Sequence, residues 1–133
     1  MRLIIDNNIL FSLMKPNSTA SKIIQDFDLK LYAPLFILAE FGKYEEEIFK
    51  KSKLSGKEFE LRKNQIKEKI NFVKLEDYKD LIKTIKIKDQ DDLPYVALAV
   101  KLKIPIWSND KELKLQKNTI VLNTEEIIKL FPM

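Results

Sequence analysis

Residues 85–115, IKIKDQDDLPYVALAVKLKIPIWSNDKELKL, carry the pattern that decides the fold class. The stretch opens with a cluster of three acids, Asp89, Asp91 and Asp92. Pro94 follows closely, and an aspartate cap with proline in the first turn is typical of a helix start. A helix is therefore predicted to begin near Asp92.

The rest of this stretch predicts a buried helix followed by a buried strand. Residues 96–100, VALAV, are apolar all round, as in a helix with no solvent-facing side. Residues 104–107, IPIW, form a short apolar run that is best interpreted as a strand, and Asp110 stands just beyond its carboxyl end. In open α/β sheets, ligands bind at that edge.

The remaining segments also alternate between the two patterns. Strands are predicted over 2–5, 29–33 and 119–122, with a short strand or extended link over 71–75; helices are predicted up to residue 14 and over 19–27, 34–51, 55–70, 76–87, 110–116 and 124–131. Such alternation predicts a three-layer α/β/α sandwich with a central, mostly parallel sheet. At 133 residues, the chain is expected to form a single domain, 1–133.

Two absences from the composition restrict the chemistry. The chain has no Cys and no His, which excludes disulfides, thiol nucleophiles, thiolate zinc sites and Ser-His-Asp triads. A metal in this chain would be bound by oxygen atoms, and such a site favours Mg²⁺ or Mn²⁺ over zinc or copper.

The charge and the hydropathy pattern set further limits. The net charge of +4 is compatible with a polyanionic partner, although a solvated Lys/Glu surface is the simpler interpretation. No apolar run approaches the ~18 residues that a membrane span requires, and Asp6 interrupts the apolar start that a secretory signal would need. A cytoplasmic protein without membrane contact is expected.

Four acids are predicted to converge at one edge of this sheet: Asp6, Glu40, Asp92 and Asp110. Asp6 and Asp110 follow strands, and the helix starts that carry the other two face the same edge of a parallel sheet. Clustered carboxylates repel one another, so their pKa values would rise unless a cation compensates. One or two hard divalent cations that align a phosphodiester would suit such a cluster.

Each acid alone has a simpler interpretation. Glu40 lies in the apolar run LFILAEF, where it would face solvent, pair with a lysine or bind a cation. Asp89 and Asp91 are expected to be cap or turn residues. A cluster of four acids has no structural purpose of that kind.

The order of these motifs resembles the PIN-domain ribonucleases, including VapC-type toxins. LIIDNN, PLFILAEF, DLPYVALAV and IPIWSND look like the family's four motifs, in order and over nearly the whole chain. Asn8 stands two residues after the first acid, and Ser108 two residues before the last.

This resemblance implies a PIN-like fold and a metal-dependent endoribonuclease, with Mg²⁺ or Mn²⁺ as cofactor and RNA as substrate. It implies that Asp6, Glu40, Asp92 and Asp110 are catalytic and bind the metal, with Asp91 or Asp89 as a replacement for Asp92. Residues expected to support them or to contact substrate are Asn8, Ser108 and Asn109, and phosphate contacts would fall to lysines such as Lys15 and Lys111. An antitoxin and a second copy of the chain, in a homodimer, are the partners that the resemblance suggests.

Two other functions fit the same pattern. The first is a non-catalytic PIN-like module that binds RNA or a protein. The second is a receiver-type phosphoacceptor, but that class requires an acidic pair after its first strand, where this chain has Asp6-Asn7.

Overall fold

The computed structural model describes residues 1–131, and residues 132 and 133 of the predicted domain lie outside the described part. Its centre is a five-stranded, all-parallel sheet. The strands are β1 (Arg2–Ile5), β2 (Lys30–Pro34), β3 (Ile70–Val73), β4 (Ile106–Trp107) and β5 (Val121–Leu122). Their order across the sheet is β3-β2-β1-β4-β5, so the direction of winding reverses between β1 and β4. That switch point is where ligands bind in open parallel sheets.

Helices flank the sheet, as predicted for a three-layer fold. They are α1 (Asn7–Leu13), α2 (Thr19–Asp26), α3 (Ile37–Ser52), α4 (Gly56–Glu68), α5 (Lys79–Ile82), α6 (Leu93–Leu102), α7 (Lys111–Leu115) and α8 (Thr124–Leu130). One group contains α1, α2, α3, α4 and α8: α1 contacts α2 and α3, α3 contacts α4, and α2 contacts α8. The other group contains α5 packed on α6. α6 also contacts β1, β2 and β4, which places it against the middle of the sheet.

The predicted buried helix and strand both lie in the core. In α6, each residue from Tyr95 to Ala99 is 2% exposed or less, and Trp107 in β4 is fully buried. The apolar composition of both segments is therefore explained by burial on all sides. Among residues 1–131, no helix combines the length and the apolar character needed to cross a membrane.

The helix predicted over 76–87 is wrong for most of its length. Only Lys79–Ile82 is α-helical, and a single 3-10 turn, Leu75–Asp77, precedes it. Beyond it, Ile85 and Ile87 are half-buried while Lys86 and Lys88 are exposed, which is the period of two of an extended chain. The β-branched residues of this segment favour that conformation.

The helix predicted to open at Pro34 begins later. Pro34 is the last residue of β2, and α3 starts at Ile37. Proline has no N–H for a sheet, but the Leu35 N–H donates to the Val73 carbonyl at 2.8 Å and continues the pairing past it.

Candidate active site

Asp6 lies at the carboxyl end of β1 and is joined to the end of β4. Its Oδ1 accepts a hydrogen bond from the Ile9 N–H at 2.9 Å, which caps α1. Its Oδ2 accepts a hydrogen bond from the Ser108 hydroxyl, 102 positions away in the sequence. Ile5 pairs with Trp107 in the sheet, so Asp6 and Ser108 are the next residues on two neighbouring strands.

The Asp6 carboxylate is desolvated. Burial raises its pKa above the ordinary value, and the charge of Asp110 raises it further. Hydrogen bonds from Ser108 and from the start of α1 oppose this rise because they stabilise the ionised form. The carboxylate is therefore fixed in position in a place where negative charge is unfavourable.

Asp110 is held against the same serine. Its backbone N–H donates to the Ser108 Oγ at 3.1 Å, while its Oδ1 accepts from the Glu112 N–H at 2.9 Å and caps α7. Ser108 is 1% exposed. One buried hydroxyl thus contacts both acids that follow β1 and β4.

Asp92 occupies the N-cap position of α6, but its side chain accepts no capping hydrogen bond. Burial raises the pKa of Asp92 to about 6, and four neighbouring carboxylates contribute to the rise: Asp89, Asp110, Asp6 and Asp91. Its carboxylate is not used to stabilise the helix, and it lies within electrostatic range of both strand-end acids.

Glu40 lies in the first turn of α3, and none of the other three predicted acids lines the same cavity. It is half-buried and lines a cavity of about 600 Å³ together with Asn8 and Asp91. Asp92 and Asp89 line a different cavity, of about 500 Å³. The Asp89 side chain accepts from the Asp91 N–H at 2.9 Å, and Asp91 lies in the 3-10 turn Gln90–Asp92, so both are cap or turn residues as predicted. Asp91 also lines the cavity that contains Glu40.

Tyr95 and Asn7 belong to this site, and the sequence reasoning missed both. The Tyr95 hydroxyl donates to Asn7 Oδ1. Burial raises the pKa of Tyr95, and Asp6, Glu40 and Asp92 add to the rise, so the hydroxyl lies among three of the predicted acids. Its signal in the sequence is that it is the one polar-tipped side chain in YVALAV.

Asn8 and Asn109 have different surroundings. Asn8 is exposed and lines the cavity beside Glu40. The Asn109 Oδ1 accepts from the Thr124 N–H at 2.8 Å, at the start of α8. Asn109 therefore connects two elements, which is a structural contact that the prediction of a substrate contact did not include.

The donor set fits a hard divalent cation in its chemistry. All predicted ligands are carboxylates, and within residues 1–131 no lysine or arginine forms a salt bridge with Asp6, Glu40, Asp92 or Asp110. In the same part of the chain, no three acids are arranged so that they could hold a metal ion together. The residues thus offer oxygen donors and uncompensated negative charge, but Glu40, Asp92 and Asp110 line three different cavities.

A comparison with protein families identifies the fold. The PIN domain profile matches residues 4–127. The chain belongs to the PIN-domain family. PIN domains are generally nucleases that depend on divalent metal ions. A search of curated protein sequences finds no match.

Two solved structures share the PIN-domain fold of this chain. The first is a chain from the structure of VapBC2 from Rickettsia felis, which was determined with a DNA fragment from the VapBC2 promoter. It is 14% identical to this chain with a TM-score of 0.62, and the match covers 92% of this chain and 98% of that one. A chain of FitAcB from Neisseria gonorrhoeae is 15% identical with a TM-score of 0.67, and the match covers 94% and 99%. At these identities, the likeness describes the backbone arrangement.

Proposed function

We propose that this PIN domain is a divalent-metal-dependent endoribonuclease that hydrolyses RNA phosphodiester bonds. Its catalytic acids, which would hold Mg²⁺ or Mn²⁺, are Asp6, Glu40, Asp92 and Asp110, with Asp91 as an alternative to Asp92. The observation that carries the proposal is the Ser108 hydroxyl, which contacts Asp6 and Asp110 at the switch point of the sheet.

The residues of the chain divide into ligands and positioning groups. When bound, a divalent cation supplies charge stabilisation at the phosphate and activation of water. Ser108 positions the Asp6 carboxylate and the Asp110 backbone, and the Ile9 N–H fixes the other oxygen of Asp6. Because these contacts already fix the ligand side chains, less conformational entropy is lost when the side chains bind an ion.

We propose that two lysines, Lys15 and Lys111, contact RNA phosphates. Lys15 lines the cavity that contains Glu40, and Lys111 lines a further cavity of about 600 Å³ that contains Asp110. Both lysines are exposed, and neither forms a salt bridge with another described residue. Lysine binds phosphate as a point charge, which suits contacts to the backbone of any sequence.

The test is cleavage of a mixed-sequence labelled RNA with Mn²⁺ and with EDTA. We expect cleavage by the wild type with Mn²⁺, none with EDTA, and none by Asp6→Asn. Asp26→Asn is the matched control, since Asp26 is an exposed acid at the end of α2, and it should cleave like the wild type. Cleavage by Asp6→Asn at the wild-type rate would refute the assigned site.

We further propose that this nuclease is the toxin of a toxin–antitoxin pair, with an antitoxin protein as partner. The support is membership of the PIN-domain family and the backbone likeness to chains of VapBC2 and FitAcB. Induced expression in a bacterial host should arrest growth, and Asp6→Asn should not. The homodimer stays a prediction, which sedimentation of the purified chain would check.

The second candidate is a non-catalytic module that binds RNA or a protein. One observation favours it: among residues 1–131, no three acids are arranged so that they could hold a metal ion together. This function predicts RNA binding that EDTA does not change and no cleavage under any metal condition.

A further inference from the structure

The cavity that contains Glu40 and Asp91 has an aromatic wall. Tyr44 of α3 lines it and is 42% exposed, so its ring is open to a ligand in the cavity. Its ring centroid lies 6.0 Å from that of Phe11 on α1, in an edge-to-face arrangement. Phe11 in turn lies 6.2 Å from the buried Phe41, so the exposed ring is supported from the core.

The polar groups of the cavity suit a neutral planar ligand better than an anion. Glu40, Glu47 and Asp91 line it, and the Lys51 ammonium lies 2.8 Å from a Glu47 carboxylate oxygen. In the absence of a bound cation, a phosphate in this space would meet two carboxylates, Glu40 and Asp91, against the one ammonium, that of Lys15, which forms no salt bridge with another described residue. An uncharged heterocycle would not be repelled, and the exposed amide of Asn8 offers both a donor and an acceptor.

Position connects this cavity to the RNA site. Glu40 of the proposed site is part of its lining, together with Asp91, the alternative to Asp92. A nucleotide whose phosphate lies at the acids therefore carries a base within reach of the aromatic wall. A protein side chain at the same place would not be covalently joined to a phosphate at the acids.

We propose that this cavity is a nucleobase subsite, in which the base beside the scissile phosphate stacks on Tyr44 and meets the Asn8 amide at its edge. The inference rests on the proposed ribonuclease function and adds a specificity-determining residue to it. Stacking on an aromatic ring is open to every base, so Tyr44 supplies affinity and Asn8 supplies selection.

The test is RNA affinity in an Asp6→Asn background, measured with Mn²⁺ by fluorescence anisotropy of a labelled 12-nucleotide RNA. Adding Tyr44→Leu should weaken binding about tenfold, because a stacked base is lost. Tyr44→Phe keeps the ring and should retain the affinity. Phe49→Leu is the matched control, since Phe49 is an aromatic of similar exposure on the same helix that is not part of the cavity lining, and it should change affinity less than about twofold.

A set of RNAs with one abasic nucleotide each gives the second measurement. In the protein that retains Tyr44, one of the abasic positions should weaken RNA binding about as much as the Tyr44→Leu substitution does. In the Tyr44→Leu protein, the same abasic position should weaken RNA binding no further. Unchanged affinity in Tyr44→Leu, additive losses at every abasic position, or no RNA binding at all would overturn the subsite.

The two proposals fail in different ways. A tenfold loss of binding in Tyr44→Leu together with no cleavage by the wild type would remove the nuclease activity and keep the base subsite. Metal-dependent cleavage by the wild type, together with unchanged RNA affinity in Tyr44→Leu, would support the nuclease function and refute the base subsite.

Discussion

The smallest unit of the site is a buried hydroxyl with two acidic neighbours. Ser108 donates to the Asp6 carboxylate and accepts from the Asp110 backbone, so it uses its proton and a lone pair on different strand ends. Alanine at this position would remove the partner of one oxygen of the buried Asp6 carboxylate and the partner of the Asp110 backbone N–H. Loss of such partners is more costly than the mean value of a hydrogen bond suggests.

We expect Ser108→Ala to lower the free energy of unfolding by about 1–2 kcal/mol. It should also reduce RNA cleavage at least tenfold, because Asp6 and Asp110 lose their shared support. Thermal melts and the cleavage assay measure the two effects.

Ser52→Ala is the control for this substitution. Ser52 is also buried, and it donates to the Phe49 carbonyl at 2.7 Å and accepts from the Leu54 N–H at 3.2 Å, at the end of α3. It should lower stability to a similar extent and leave cleavage unchanged. Equal losses of cleavage in both variants would show that Ser108 acts only through stability.

Asp92 makes the stability of the metal-free protein depend on pH. Its pKa is raised from 3.8 to about 6 in the folded state, so the folded protein holds this proton more tightly than the unfolded chain does. By linkage, the contribution of Asp92 to stability is fully present below about pH 4 and is lost as the pH rises to about 6.

Asp92→Asn should therefore raise the melting temperature at pH 7.5 in EDTA. The gain should be about 3 °C, or about 1 kcal/mol after a discount for the solvent screening of a half-buried group. At pH 4 the variant and the wild type should melt together. A gain of the same size at both pH values would contradict the charge explanation.

At the scale of the elements, Arg62 joins α4 to the end of α1 and to the first turn of α2 by hydrogen bonds. Its Nε donates to the Leu13 carbonyl and a terminal nitrogen donates to the Ser21 Oγ, both at 2.9 Å. The Ser21 Oγ donates in turn to the Lys15 carbonyl at 2.7 Å. The segment that carries Lys15 is thus held in place by Arg62, which lies 49 positions after Leu13 in the sequence.

Replacement of Arg62 by methionine should lower the melting temperature by about 4 °C, which corresponds to about 1–2 kcal/mol. Arg62→Lys should restore little, since one ammonium does not reproduce the two divergent donors of a guanidinium. Lys57→Met on the exposed side of the same helix should have no effect within about 1 °C. Thermal melts of the three variants measure these melting temperatures. An Arg62→Met protein that melts at the wild-type temperature would contradict the stabilising role of Arg62.

At the scale of the whole molecule, the sheet order brings separate acids to one edge and leaves their charge without a partner cation among the described residues. A ligand that binds only the folded state stabilises it by mass action. Mn²⁺ at about 100 times its dissociation constant would add about 2.7 kcal/mol to the free energy of unfolding.

We therefore expect Mn²⁺ to raise the melting temperature of the wild type and of Asp26→Asn, and to raise that of Asp6→Asn clearly less. EDTA should reverse the shift. The same rise in all three proteins would place the bound metal elsewhere.

Local patterns in the sequence were sufficient for several elements and for the type of chemistry. β1 was predicted at its observed bounds, and the helix predicted from residue 55 begins there as α4, where Ser55 and Glu58 form a capping box. The oxygen-only donor set follows from the lack of His and Cys. These features depend on side chains that are neighbours along the chain, so the sequence itself contains their physical cause.

What the tertiary structure alone decided is which of these residues meet. The sequence placed Asp6 and Asp110 at one edge, but the Ser108 bond depends on β1 and β4 being adjacent and in register. Likewise, the contact of Tyr95 with Asn7 spans 88 positions. Such contacts depend on sheet order and helix packing, which arise from the burial of the whole apolar core, and no local propensity encodes them.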